Sequence, residues 1–202
     1  MRDPQNTAAV AAAGPDFMGF IFYPGSKRFV GNDPEEKLFR NIPGIKKVGV
    51  FVNEKEEIVL HTARRFALEW VQLHGNESAG YCAAIRKAGL KVIKAVGVDV
   101  DFGFDSLDAF LPVCDYFLFD TKTEDYGGSG QKFNWEKMKA YSGDKPFFLS
   151  GGIGPGDVSA IRAIHHARLF AVDLNSKFEI RPGIKDALAV KNFLENLKFS
   201  GI

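Results

Sequence analysis

The chain has 202 residues, 46% of them hydrophobic, and its 26 basic and 25 acidic side chains leave a net charge of +1. Such a length suits one sizeable core, read as one domain over residues 1–202, and the balanced charge without Lys/Arg blocks gives no support to a nucleic-acid or membrane-surface role. Cys82 and Cys114, with no CxxC spacing and no histidine cluster nearby, argue for a reducing cytoplasm and against a disulfide framework or a metal site.

No apolar run approaches membrane-spanning length, and the opening ten residues do not read as a signal peptide. They read instead as a helix over Pro4–Ala13, with Asp3 as N-cap and Pro4 in the first turn. Apolar, β-branched and aromatic runs then recur at Phe17–Phe22, Val48–Val52, Trp70–Leu73, Val92–Val96, Tyr116–Phe119, Phe147–Leu149 and Leu169–Val172. Their lack of polar alternation suits parallel strands covered on both faces. Helical patterns lie between them at Pro34–Arg40, Glu54–Ala67, Glu77–Ala88, Ser106–Leu111, Trp135–Tyr141, Asp157–His166 and Ile184–Leu197. Asn53 and Asn76 stand where N-caps belong, Gly89 follows one helix, and Pro155 opens another.

Seven strands and eight helices in alternation point to an α/β fold of the (βα)8 TIM-barrel type whose first strand is missing from the chain. An open doubly wound sheet is the alternative. Against it, no GxGxxG follows the first strand, and ligand-type residues come from many strand ends.

Those strand ends carry the candidate chemistry. Asp120 closes the run Tyr116–Phe119 and precedes a loop with Gly127, Gly128 and Gly130, an acid or base beneath a candidate lid. Arg28, in the loop after the first strand, can clamp a carboxylate or phosphate, or be half of a solvated Lys-Arg pair. His74 follows the third strand and faces the same end as Asp120. Gly151 and Gly152 lie between a strand and a helix start, a pattern that suits phosphate or an ordinary tight turn. Asp173 closes the last strand, with Asn175, Ser176 and Lys177 just beyond it.

Together these segments resemble phosphoribosylanthranilate isomerase, of tryptophan biosynthesis. The matching stretches are Gly19–Pro24 with Ser26–Arg28, Val48–Asn53, Val71–Gly75, Val92–Ala95, Asp120–Lys122 with Gly127–Gly130, Ser150–Gly152, and Val172-Asp173 with Pro182-Gly183. The resemblance implies a cofactor-free Amadori rearrangement of a phosphorylated small-molecule substrate in the cytoplasm, by a monomer or homodimer, with no metal. It makes Asp120 the general acid and Arg28 the holder of the anthranilate carboxylate. His74 and Asp173 become pocket-lining groups, and Gly151, Gly152, Asn175 and Ser176 fall where phosphate binds. Lys177 departs from the glycine usual in the family.

Family members open with a strand ending in Lys-x-Cys-Gly, whose Cys is the general base. Met1-Arg-Asp-Pro aligns just after that motif, and neither Cys82 nor Cys114 matches it. The expectation is therefore a chain impaired or inactive as given. A related sugar-phosphate isomerase, or a non-catalytic binder of phosphorylated ligands, is the alternative.

Overall fold

The computed structural model describes residues 1–40, 42–122 and 132–198. Seven strands form one parallel sheet in sequence order: β1 (Phe17–Ile21), β2 (Lys46–Phe51), β3 (Trp70–Leu73), β4 (Lys91–Val98), β5 (Tyr116–Thr121), β6 (Phe147–Leu149) and β7 (Leu169–Val172). A small antiparallel pair, β8 (Glu179–Arg181) and β9 (Ile184–Lys185), follows. The α-helices are α1 (Pro4–Ala11), α2 (Glu56–Phe66), α3 (Ala79–Lys87), α4 (Val158–Arg162) and α5 (Ala187–Lys198).

The sheet curls, so its two ends meet across an interior. The rings of Phe17 on β1 and Phe170 on β7 are 6.0 Å apart, although no β1–β7 register occurs among the described residues. All four residues of β3 are buried, which explains the missing alternation in the sequence. Trp70 packs inward with Val48, Ile93, Leu118 and Phe148, while Val71 and Leu73 pack outward with Cys82, Ile85 and Cys114. A strand covered on both faces has no solvent side to mark with polar residues.

The strand expectations hold to within a few residues, but eight full helices do not form among the described residues. Glu36–Phe39, Phe104–Leu107 and Trp135–Ala140 are 3₁₀ segments. Each is anchored by only one or two buried side chains, such as Leu107 in the second. One turn so held does not offset the cost of nucleating an α-helix. The helix expected over Asp157–His166 divides into a 3₁₀ turn, Pro155–Asp157, and the short α4.

Asp3 caps α1 as expected, accepting from the Asn6 amide at 2.7 Å, but neither Asn53 nor Asn76 is an N-cap. Ser78 caps α3 by accepting from the Tyr81 amide. Asn53, at φ 51°, accepts from the Asn76 amide at 2.7 Å and so ties two strand-end loops together. No helix among the described residues is long and apolar enough to cross a membrane.

Candidate active site

A parallel ladder fixes the residue just past each strand by one hydrogen bond to the strand before it. His74 donates its backbone N–H to Phe51 at 2.8 Å, Ser150 to Phe119 at 2.8 Å, and Asp173 to Leu149 at 2.8 Å. Asp120 does not lie past its strand: β5 runs on to Thr121, and Asp120 is its penultimate residue, opposite Gly97 of β4. A cavity of about 480 Å³ opens at this end, lined by Arg28, Gln72, His74, Asp120, Asp173, Asn175, Glu179 and Lys185. It continues between β1 and β7 toward Val10 and Leu194.

Asp120 is largely buried, and its pKa is pushed up to about 6. Burial is the main cause and the nearby Asp173 carboxylate the second, while hydrogen bonds from the Thr121 N–H and the Ser150 hydroxyl pull the other way. Ser150 Oγ also lies 3.1 Å from Asp173 Oδ2, so one hydroxyl, with a single proton to donate, sits between the two carboxylates. Facing them, His74 Nε2 stands 3.6 Å from Asp120 Oδ2, and His74 Nδ1 is 2.6 Å from Gln72 Nε2. Burial holds the His74 pKa below its ordinary value.

The loop carrying His74 rests on a second buried network. Lys94 Nζ donates to Leu73 O at 3.1 Å, Gly75 O at 2.7 Å and Glu77 Oε2 at 3.0 Å. Glu77 in turn accepts from the backbone amides of Asn53 and Gly75. Every charge in this knot therefore has a partner, as burial requires.

On the other side of the cavity, Arg28 does not stand open. Its Nε and Nη2 donate to Glu179 at 2.8 to 3.0 Å in a forked pair. Glu179 also accepts from the Gly183 amide at 3.1 Å, and Lys185 Nζ is 3.5 Å away. Burial raises the Glu179 pKa, but the Arg28 hydrogen bond and the Lys185 charge outweigh it and leave the carboxyl below its ordinary range. Lys185 Nζ donates to Asn175 Oδ1 at 3.0 Å, and burial lowers its own pKa despite Glu179 and Asp173.

The structure thus brings Asp120, His74, Arg28, Asp173 and Asn175 to one cavity. Gly151, Gly152 and Ser176 lie beside it without lining it. Gly151 has φ 90°, and a Cβ there would stand 2.5 Å from Thr121 Oγ1 and 3.3 Å from Asp120 Oδ1, so only glycine lets this turn pass behind the acid. The proposed lid glycines Gly127, Gly128 and Gly130 fall outside the described residues. Cys82 and Cys114 are both buried away from the cavity. No cluster among the described residues could hold a metal ion.

Glu179, Lys185, Gln72 and Ser150 join the site beyond the residues that the sequence pattern marks. Gln72 had a readable signal, an amide in the middle of an otherwise apolar run. Glu179 had none, because 151 positions separate it from Arg28.

A family model described as N-(5'phosphoribosyl)anthranilate (PRA) isomerase matches residues 1–196. An N-(5'-phosphoribosyl)anthranilate isomerase of Phocaeicola vulgatus is 44% identical over 201 residues, 98% of this chain and 95% of that protein. The crystal structure of phosphoribosyl anthranilate isomerase from Thermotoga maritima superposes with TM-score 0.81 at 37% identity, covering 98% of this chain and 96% of that one. A structure of such an isomerase in complex with reduced 1-(o-carboxyphenylamino)-1-deoxyribulose 5-phosphate matches with TM-score 0.79 at 32% identity, covering 98% of this chain and 95% of that one.

Proposed function

The chain belongs to the N-(5'phosphoribosyl)anthranilate isomerase family, and on that premise we propose how its own residues serve the isomerisation of N-(5'-phosphoribosyl)anthranilate in tryptophan biosynthesis. The curled seven-stranded sheet is read as that of a (βα)8 barrel, in which strand C-terminal ends carry the chemistry. One observation carries the reading most directly: a buried carboxyl, Asp120, whose pKa of about 6 keeps part of it protonated near neutrality.

In this mechanism Asp120 is the general acid. It gives its proton to the ribose ring oxygen as the bond from that oxygen to the anomeric carbon breaks. The anthranilate nitrogen lone pair forms the Schiff base; a base then takes the C2′ proton to give the enol-amine, and protonation at C1′ with loss of the C2′ hydroxyl proton gives the ketose. Arg28 holds the anthranilate carboxylate. His74 and Asp173 line the reacting sugar, and the turn at Gly151 and Gly152 with Asn175 and Ser176 receives the phosphate. Lys185, next to Asn175, adds a cation to that end.

Neither cysteine lines the cavity, so its described residues include no thiol base. The decisive assay follows the loss of phosphoribosylanthranilate fluorescence at high protein concentration. Asp120→Asn should lower turnover by ~10²–10⁴-fold while product binding persists. Turnover unchanged in Asp120→Asn would remove Asp120 from the mechanism.

A further inference from the structure

We propose that Gln72 is a positioning residue for the reaction assigned above, fixing His74 as the neutral tautomer whose Nε2–H is turned toward Asp120. The inference rests on Asp120 being the acid, but the tautomer itself can be observed without any turnover.

Gln72 is an unexpected residue for its place. Its register neighbours are Val50 on β2 and Ile93 on β4, both apolar, and it is 9% exposed. Burying an amide in an apolar layer is unfavourable unless the amide is hydrogen-bonded. Among the described residues its side chain has one such partner, the His74 ring, reached because positions i and i+2 of a strand share a face. The contact is short, 2.6 Å from Gln72 Nε2 to His74 Nδ1.

With the Gln72 amide turned as it is here, nitrogen toward the ring, the pairing assigns the place of the imidazole proton. An amide nitrogen only donates, so Nδ1 must be the accepting, unprotonated nitrogen. A neutral ring then has its single N–H on Nε2, the atom 3.6 Å from Asp120 Oδ2. Burial favours the neutral ring, in agreement with that geometry. At 3.6 Å the N–H is aimed at the carboxylate rather than bonded to it. It becomes useful once Asp120 has given its proton away and carries a full negative charge. The opposite tautomer would set a lone pair against that charge.

The Lys94–Glu77 network holds the backbone on which this depends. Lys94 caps the carbonyls of Leu73 and Gly75 on either side of His74 and so limits movement of the ring's own residue. Gln72 then decides which face of the ring's chemistry is presented.

Nitrogen-15 multiple-bond NMR of the histidine rings at about pH 7.5 tests this, with the His74 signals assigned by their loss in His74→Asn. Nε2–H should dominate for His74 in the unaltered chain. In Gln72→Leu the two tautomers should mix, and in Gln72→Glu, whose carboxylate accepts from Nδ1–H, the preference should invert. Dominant Nδ1–H in the unaltered chain would overturn the proposal, as would an unchanged tautomer in either variant. The unaltered chain and Gln72→Glu decide the matter even if Gln72→Leu does not fold. On the kinetic side, Gln72→Leu should lower kcat about tenfold with KM nearly unchanged. A rise in KM alone would assign Gln72 to substrate binding and overturn the positioning role. If instead Asp120→Asn keeps its turnover, the acid assignment fails while the tautomer stands.

Discussion

Two buried ion pairs flank the cavity, and they are built for different ends. Lys94 and Glu77 are 6% and 2% exposed, and each is saturated by backbone groups around the His74 loop. Neither lines the cavity. Arg28 and Glu179 are 12% and 4% exposed, and both line it. Glu179 takes the Nε/Nη2 edge of the guanidinium, and its hydrogen bonds are the only ones the Arg28 side chain makes among the described residues. A pair closed on all sides by carbonyls and amides braces a loop. A pair with one partner's donors unspent offers them to a ligand.

The sharpest way to break this contrast is to remove one charge from the closed pair. Lys94→Met leaves Glu77 buried without its cation, and urea unfolding should show a loss of about 3–5 kcal/mol. A loss below about 1 kcal/mol would mean that the network is not a brace. The open pair should respond in binding instead. Arg28→Met should weaken binding of the carboxylated product by about 10- to 100-fold, read by calorimetry, and leave an analogue lacking the anthranilate carboxylate unaffected. Equal losses for both ligands would take the carboxylate away from Arg28.

Glu179→Gln should raise KM about tenfold with a smaller change in kcat, because the arginine survives but is no longer aimed. Its stability cost should be modest, about 1–2 kcal/mol, since Arg28 borders the cavity. The folded Glu179 carboxyl lies below its ordinary range, so its contribution is present above the unfolded pKa and is lost as pH falls through the folded one. The gap between the original chain and Glu179→Gln should therefore close in acid.

Asp120 has the opposite sign. Its folded pKa of about 6 lies above the unfolded 3.8, so its stabilising share is complete below about pH 4 and lost as pH rises through 6. Asp120→Asn should be more stable than the original chain at pH 8, by at most about 3 kcal/mol, with no advantage below pH 4. A constant difference across that range would show that burial does not strain the carboxyl.

Much of the site was legible because parallel strands end where their residues change character. Asp120, His74 and Asp173 each follow an apolar run, and each proved to line the cavity. The helices were less legible. Segments such as Ser106–Leu111 carry helical composition, yet only Leu107 in its 3₁₀ turn is buried, and composition alone does not report how many turns the core will hold. The asparagine caps failed for a related reason. Asn53 found its partner in Asn76, 23 residues away, rather than in the helix beside it.

The sequence by itself determined the strand order, the strand ends and the carboxylate at the end of β5, because these follow from local runs and short-range spacing. The residues that hold the site depend on closure of the sheet. Glu179 meets Arg28 across 151 positions only because segments far apart in the chain end at one rim, whereas Lys94 meets Glu77 across 17 through the pairing of the successive strands β3 and β4. The raised pKa of Asp120 belongs to the same class. It comes from burial and from Asp173, a carboxylate on another strand end, and neither exists until the sheet has curled.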